Sequence, residues 1–239
     1  MKTEVTRPIW LYGLLLVPVF SAIMALRYYN FIFKAGVAAS GMVIILLCFF
    51  LESRRSKDVL LVVVAFLFSI AGDWFLSTMH GDTGRFIAGI GFFFLAHAGY
   101  LSYALLNGRF KWTVTIVFLT GYLLFFLLKL FPVISDSMLM LASLLYLLIS
   151  CFSLGAAAGM RYTADVKWAF LAGIILILFS DTIIALKEFA GYREMNFLIL
   201  PTYYLSQISI VYSVLRRMQR FRVSRAAFSP GQSGLPDMR

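Results

Sequence analysis

Apolar and polar residues are laid out along this chain in long blocks. Eight apolar stretches, at about 9–26, 31–51, 59–79, 86–106, 112–131, 137–159, 167–187 and 197–215, are separated by short polar connections. A helix needs ~20 mostly apolar residues to cross ~30 Å of hydrocarbon, and each stretch reaches or approaches that length. Inside lipid every backbone polar group must find its partner within the chain, which a helix provides; a barrel would show short alternating strands instead. The expected fold is therefore all-α, a polytopic membrane bundle of eight transmembrane helices. Residues 1–215 make up this transmembrane domain, and residues 216–239 form a basic, partly disordered cytoplasmic tail, RRMQRFRVSRAAFSPGQSGLPDMR. The first stretch exceeds the apolar region of a usual signal peptide and no clear small-x-small site follows it, so it reads as a retained helix.

Composition agrees with the pattern and excludes alternatives. Of 239 residues, 62% are hydrophobic and 13% charged, with a mean hydropathy of +0.89. A soluble domain is nearer half apolar and a quarter charged, and a globule of this size could not hide the excess. A soluble enzyme, a disordered chain and a secreted disulfide scaffold are ruled out. The net charge of +10 does not mark a nucleic-acid binder, because its distribution has another cause. Fifteen of the 21 Lys and Arg lie in the N-terminal segment, the tail and the 2–3, 4–5 and 6–7 connections, against six on the other side. The positive-inside rule then places both termini in the cytoplasm, and the tail arginines are expected to meet anionic headgroups. Compact connections lean toward a bacterial inner membrane rather than the endoplasmic reticulum. Cys48 and Cys151 each sit in an apolar run with no CxxC, as buried small hydrophobes do.

Low charge content makes the exceptions visible. Of eleven Asp and Glu, nine fall in tails, connections or helix ends. Asp73, in LFSIAGDWFLS, and Asp181, in ILFSDTIIAL, do not. A mid-helix carboxylate costs several kcal/mol unless it is paired, hydrated or protonated. Helices 3 and 7 run in the same direction, so both acids lie about 10 Å from the same surface. Lys34, His97, Tyr100, Tyr203, Tyr204, Gln207, Ser69 and Ser180 fall near that level. Each also has a structural reading: a packing ion pair for an Asp, a hydrogen-bonded core residue for His97, a belt position for the tyrosines, a snorkelling anchor for Lys34.

Two carboxylates at one level suit acid–base chemistry. They fit aspartyl proteolysis, ether cleavage and, as the alternative function, a proton- or cation-coupled transporter using the same Asp pair. With two His in the chain a three-His zinc site is impossible, and no metal site is expected. The GxGD of an intramembrane aspartyl protease is absent, since residues 70–73 read IAGD. A short FS…D recurrence at 68–73 and 179–181 hints at a parallel 4+4 repeat.

FSIAGDWFLS, GIGFFFLAHAGYLSYAL, LAGIILILFSDTIIALKEF and LPTYYLSQISIVYS, in this order, resemble the YhhN-like family, which includes the lysoplasmalogenases. The resemblance runs from helix 2 to helix 8. It implies a membrane hydrolase that cleaves the vinyl ether of a lysophospholipid, a lysoplasmalogen, to a fatty aldehyde and glycerophosphoethanolamine or glycerophosphocholine, with no cofactor. The family's GD and SD aspartates fall on Asp73 and Asp181, its helix-4 His and Tyr on His97 and Tyr100. Its TYxxxQ segment falls on Thr202, Tyr203 and Gln207, and its basic residue on Lys34. There the pattern departs, with Ala35 where the family often has Pro. The two aspartates are implied as the catalytic pair and the remaining residues as substrate-binding.

Overall fold

The computed structural model describes residues 10–51 and 56–226. After a helical turn at Trp10–Gly13 come α1 (Leu16–Tyr28), α2 (Phe31–Leu51), α3 (Val59–Ser77) and α4 (Thr83–Leu106). Then follow α5 (Trp112–Phe125, continued by the π-helical turn Phe126–Leu130), α6 (Ser137–Ala158), α7 (Ala164–Ala190) and α8 (Asn196–Ala226). Among the described residues no sheet forms, and one isolated antiparallel bridge joins Gly108 to Met160. The chain is a multi-pass, all-helical membrane protein.

Among the described residues seven helices, α2 to α8, are long and apolar enough to cross a bilayer. The first apolar stretch differs from expectation. It breaks at Leu14–Leu15, and α1 keeps only 13 residues, about 20 Å at 1.5 Å per residue. Pro18 explains the break, because its ring excludes the carbonyl of Leu14, four residues back, and it offers no N–H. The far end differs too: α8 does not stop at 215 but continues to Ala226. Residues 1–9, 52–55 and 227–239 lie outside the described residues. Part of the charge-based orientation falls on them, but of the six tail arginines expected to contact headgroups only Arg239 does; Arg216 and Arg217 instead pair with Asp165 at 2.8 Å and Asp58 at 2.6 Å, which corrects that expectation for both.

Polar caps set the connections. The Asp82 side chain accepts from the Gly84 and Arg85 amides to start α4, and Asp136 accepts from the Leu139 amide at 2.8 Å to start α6. Gly191, at φ 69°, ends α7 in the left-handed region that glycine adopts freely.

Six helices close a ring in the order α2–α3–α4–α6–α7–α8, with α8 returning to α2. Outside it, α1 leans on α2 and α8, while α5 leans on α6 and, through its π-helical turn, on α7. Within the ring α6–α7–α8 follows the neighbour order of α2–α3–α4, with α3 matched to α7, whereas α1 and α5 differ in their second neighbour. Both intramembrane acids lie on this matched pair.

One end of the ring is latched. Arg217 Nη1 lies 2.6 Å from Asp58 Oδ2, and Arg217 also donates to Tyr103 at 3.2 Å and Ser56 at 3.0 Å. Asn107 donates to the same Asp58 oxygen at 2.6 Å and accepts from Tyr162. Burial works against the Asp58 charge, but hydrogen bonds from Arg217, Ser56 and Asn107 outweigh it and hold the carboxyl below its ordinary range. Close by, the Gly159 carbonyl accepts from the Arg109 amide at 3.0 Å. A Cβ on Gly159 would lie 1.5 Å from the Arg109 carbonyl oxygen, so only glycine fits this crossing.

Candidate active site

The candidate side chains gather at the opposite end, around the C-terminal halves of α3 and α7. Gly72 lets α4 approach α3 just before Asp73; a Cβ there would lie 2.8 Å from the Phe93 ring. Asp73 Oδ2 accepts from the Tyr203 hydroxyl of α8 at 3.0 Å. Across the ring, Asp181 Oδ2 accepts from the Tyr146 hydroxyl of α6 at 2.5 Å. His97 Nε2 is 4.0 Å from the same oxygen, too far for a direct hydrogen bond. The imidazole is held edge-on between the rings of Tyr100 and Tyr146, with centroids 6.0 and 5.3 Å away.

Both carboxylates face one polar cavity of about 280 Å³, which Lys34, Tyr203, Lys187, Glu188 and Asn196 also line. A second, apolar pocket of about 90 Å³ adjoins it at Asp181, walled by Ile90, Phe125, Leu130, Leu147, Leu178 and Phe189. Leu76, Phe86, Phe93 and Ile184 border both spaces, and Asp181 is the one polar residue common to the two linings. The arrangement offers a headgroup-sized polar space, a hydrocarbon space, and an acid at the boundary.

The expected residues divide into two layers. Asp73, Asp181, Lys34, Tyr203 and Ser180 line the cavity. The Ser180 hydroxyl, however, donates to the Ile199 carbonyl at 3.0 Å, which makes it a clamp between α7 and α8. His97, Tyr100, Tyr204, Gln207 and Ser69 are buried and absent from the cavity wall. Both His97 nitrogens, both Gln207 amide atoms and the Tyr204 hydroxyl have no hydrogen-bond partner among the described residues. Buried groups in this state are costly unless water or a ligand satisfies them, so this inner layer is the natural place for water. Among the described residues no three His, Cys, Asp or Glu side chains come together as metal ligands.

Sequence reasoning missed Tyr146 and the cavity rim of Lys187, Glu188 and Asn196. A signal for the first was present. Ser143, Tyr146, Ser150 and Ser153 recur at i, i+3, i+7 and i+10 in the largely apolar α6, and that spacing is a helix face. The rim had no such mark, since charged residues at helix ends are ordinary.

The sequence model of the YhhN family matches residues 29–214, from the start of α2 to the last turns of α8 inside the ring. The chain belongs to the YhhN family. No curated protein and no solved structure matches it. The YhhN match takes in all six ring helices and α5, hence both carboxylates and both spaces, and leaves out α1. It agrees with the resemblance carried by the motifs, to a lysoplasmalogenase-like family associated with hydrolase activity.

Proposed function

We propose that this membrane protein hydrolyses the vinyl ether of lysoplasmalogens. The observation that carries the reading is the position of Asp181 at the boundary between polar cavity and apolar pocket, with Asp73 facing the same cavity. A lysoplasmalogen has that polarity profile. Its phosphate and glycerol belong in the polar space and its alkenyl chain in the apolar one. The chain would leave beside the π-helical turn of α5 toward lipid. Irregular turns of this kind recur at functional sites.

The chemistry follows from which acid reaches which atom. A vinyl ether opens when its β-carbon, the carbon on the tail side, takes a proton. Asp181 borders the tail pocket, so it is the acid. The alkene π pair forms the new C–H bond, leaving an oxocarbenium ion. Asp73, held by Tyr203 in the polar cavity, stabilises that cation and takes a proton from the water that adds to the α-carbon. The hemiacetal then collapses. Asp73 returns its proton to the departing glycerol oxygen, the hemiacetal hydroxyl gives its proton to Asp181, and an aldehyde forms. Both residues end as they began.

The test uses purified protein in detergent with a 1-alkenyl lysophospholipid and its 1-acyl analogue. Aldehyde from the first alone is the expected result. Fatty acid from the second would make the protein an ordinary lysophospholipase. Neither product, together with proton or cation flux in proteoliposomes, would make it a transporter.

A further inference from the structure

The cavity rim carries chemistry that the bond-breaking step does not use. Lys187, three residues from the end of α7, places Nζ 2.6 Å from Glu188 Oε1. Lys34, near the start of α2, adds a second cation to the same wall. Asn196, at the start of α8, also faces the cavity, and its Oδ1 is buried with no hydrogen-bond partner among the described residues. All four come from the ends of helices that meet at the cavity mouth. The rim therefore offers two ammonium groups and, beside them, a carboxylate and an idle acceptor.

We propose that this rim is a headgroup subsite that selects a phosphoethanolamine-type zwitterion. The inference rests on the lysophospholipid reading above and names the headgroup that site takes. A zwitterion carries a phosphate and an ammonium a few bonds apart, and a Lys–Glu pair is its electrostatic complement. The phosphate binds between Lys34 and Lys187. The ammonium takes over Glu188 and donates a further N–H to Asn196 Oδ1. The pair at the rim is partly exposed, with side-chain exposures of 36% and 23%, so exchanging its partner costs little.

The same geometry discriminates among headgroups. A primary ammonium has three N–H donors for these acceptors, whereas a trimethylammonium has none and is held instead by aromatic cages. The aromatic residues of this cavity are engaged elsewhere. The Tyr203 hydroxyl donates to Asp73, and its ring meets Phe93 edge-on with centroids 6.0 Å apart. Phe86 packs on Phe189 at 5.8 Å. A phosphoglycerol headgroup has the anion without the cation and leaves Glu188 facing a negative ligand.

The experiment measures binding rather than turnover. Uncleavable 1-O-hexadecyl lysophospholipids bearing ethanolamine, choline or glycerol are titrated into the detergent-purified full chain and its Glu188→Gln variant, with free phosphoethanolamine as a fourth ligand. The wild type should bind the ethanolamine lipid about tenfold tighter than the other two lipids, and Glu188→Gln should bring the three within about twofold of one another. Equal affinities in the wild type, or an undiminished preference in the variant, overturn the subsite. Free phosphoethanolamine binding as tightly as the lysolipid would assign the rim to a soluble amine phosphate and overturn it as well. Because the lipids cannot be cleaved, absence of aldehyde release removes the proposed hydrolysis and leaves this result standing. Aldehyde release with no headgroup preference removes only the subsite.

Discussion

Asp73 and Asp181 have similar depth but different company. Asp73 is tied to Tyr203 and shares its cavity with Lys34, while Asp181 is tied to Tyr146 and opens onto hydrocarbon. Replacing either by Asn keeps the shape and removes the proton chemistry. Each variant should lose about 10²–10⁴ in kcat while its thermal unfolding midpoint in detergent stays close to the wild-type value. The Tyr146 ring lines the tail pocket, which Phe would preserve, while its hydroxyl aims the Asp181 carboxyl. Tyr146→Phe should therefore lower kcat about tenfold and leave KM nearly unchanged, the signature of an interaction that matters in the transition state. Aldehyde release against substrate concentration measures both numbers.

The elements are held in place by the latch at the other end. Asp58 starts α3, Arg217 sits on α8, and Asn107 ends α4, so one network fixes three of the six ring helices. Arg217→Met leaves Asp58 charged, largely buried and stripped of its cation, which should cost about 3–5 kcal/mol, read from denaturation in mixed micelles. The linkage has a definite sign. Since the folded Asp58 carboxyl is held below its ordinary range, its contribution is complete above the unfolded value near 3.9 and is lost as pH falls from there toward the folded value. Asp58→Asn should be less stable than wild type at pH 7, and the difference should shrink below about pH 4. Gly159→Ala tests the neighbouring crossing, where the added Cβ would strike the Arg109 carbonyl. A large drop in the unfolding midpoint is expected, because the obstacle is backbone and cannot swing aside.

Across the whole molecule, the ring divides two tasks between its ends. The latched end carries the ion-paired network, and the open end carries the cavity. The apolar pocket is built jointly by α3, α4, α5, α6 and α7, so its size is a property of their packing rather than of any one helix. Leu147, on α6, lies in that wall. Leu147→Phe should fill part of the pocket and shift the preferred substrate toward shorter alkenyl chains. Competition between C8 and C16 lysoplasmalogens would show this as a change in the ratio of kcat/KM. α3 and α7 occupy equivalent places in the ring, and the acids they carry face one cavity.

By itself the sequence determined the all-helical membrane architecture, because lipid demands long apolar runs and internal backbone hydrogen bonds. It also singled out Asp73, Asp181, Lys34 and Tyr203, because polar groups in such runs are rare enough to stand out. The length of the first helix escaped it, since hydropathy averages over Pro18 and does not register a steric break. Only the tertiary structure decided which acid borders hydrocarbon and that His97, Tyr100, Tyr204 and Gln207 form an inner layer behind the cavity wall. The same holds for the joining of Arg217, which reads as part of a loose tail, to Asp58 across the bundle. The physical reason is common to these cases. Hydropathy reports how deep a residue lies along the membrane normal, whereas partners and cavities depend on the direction each helix face takes within the plane, and only packing among the helices sets that.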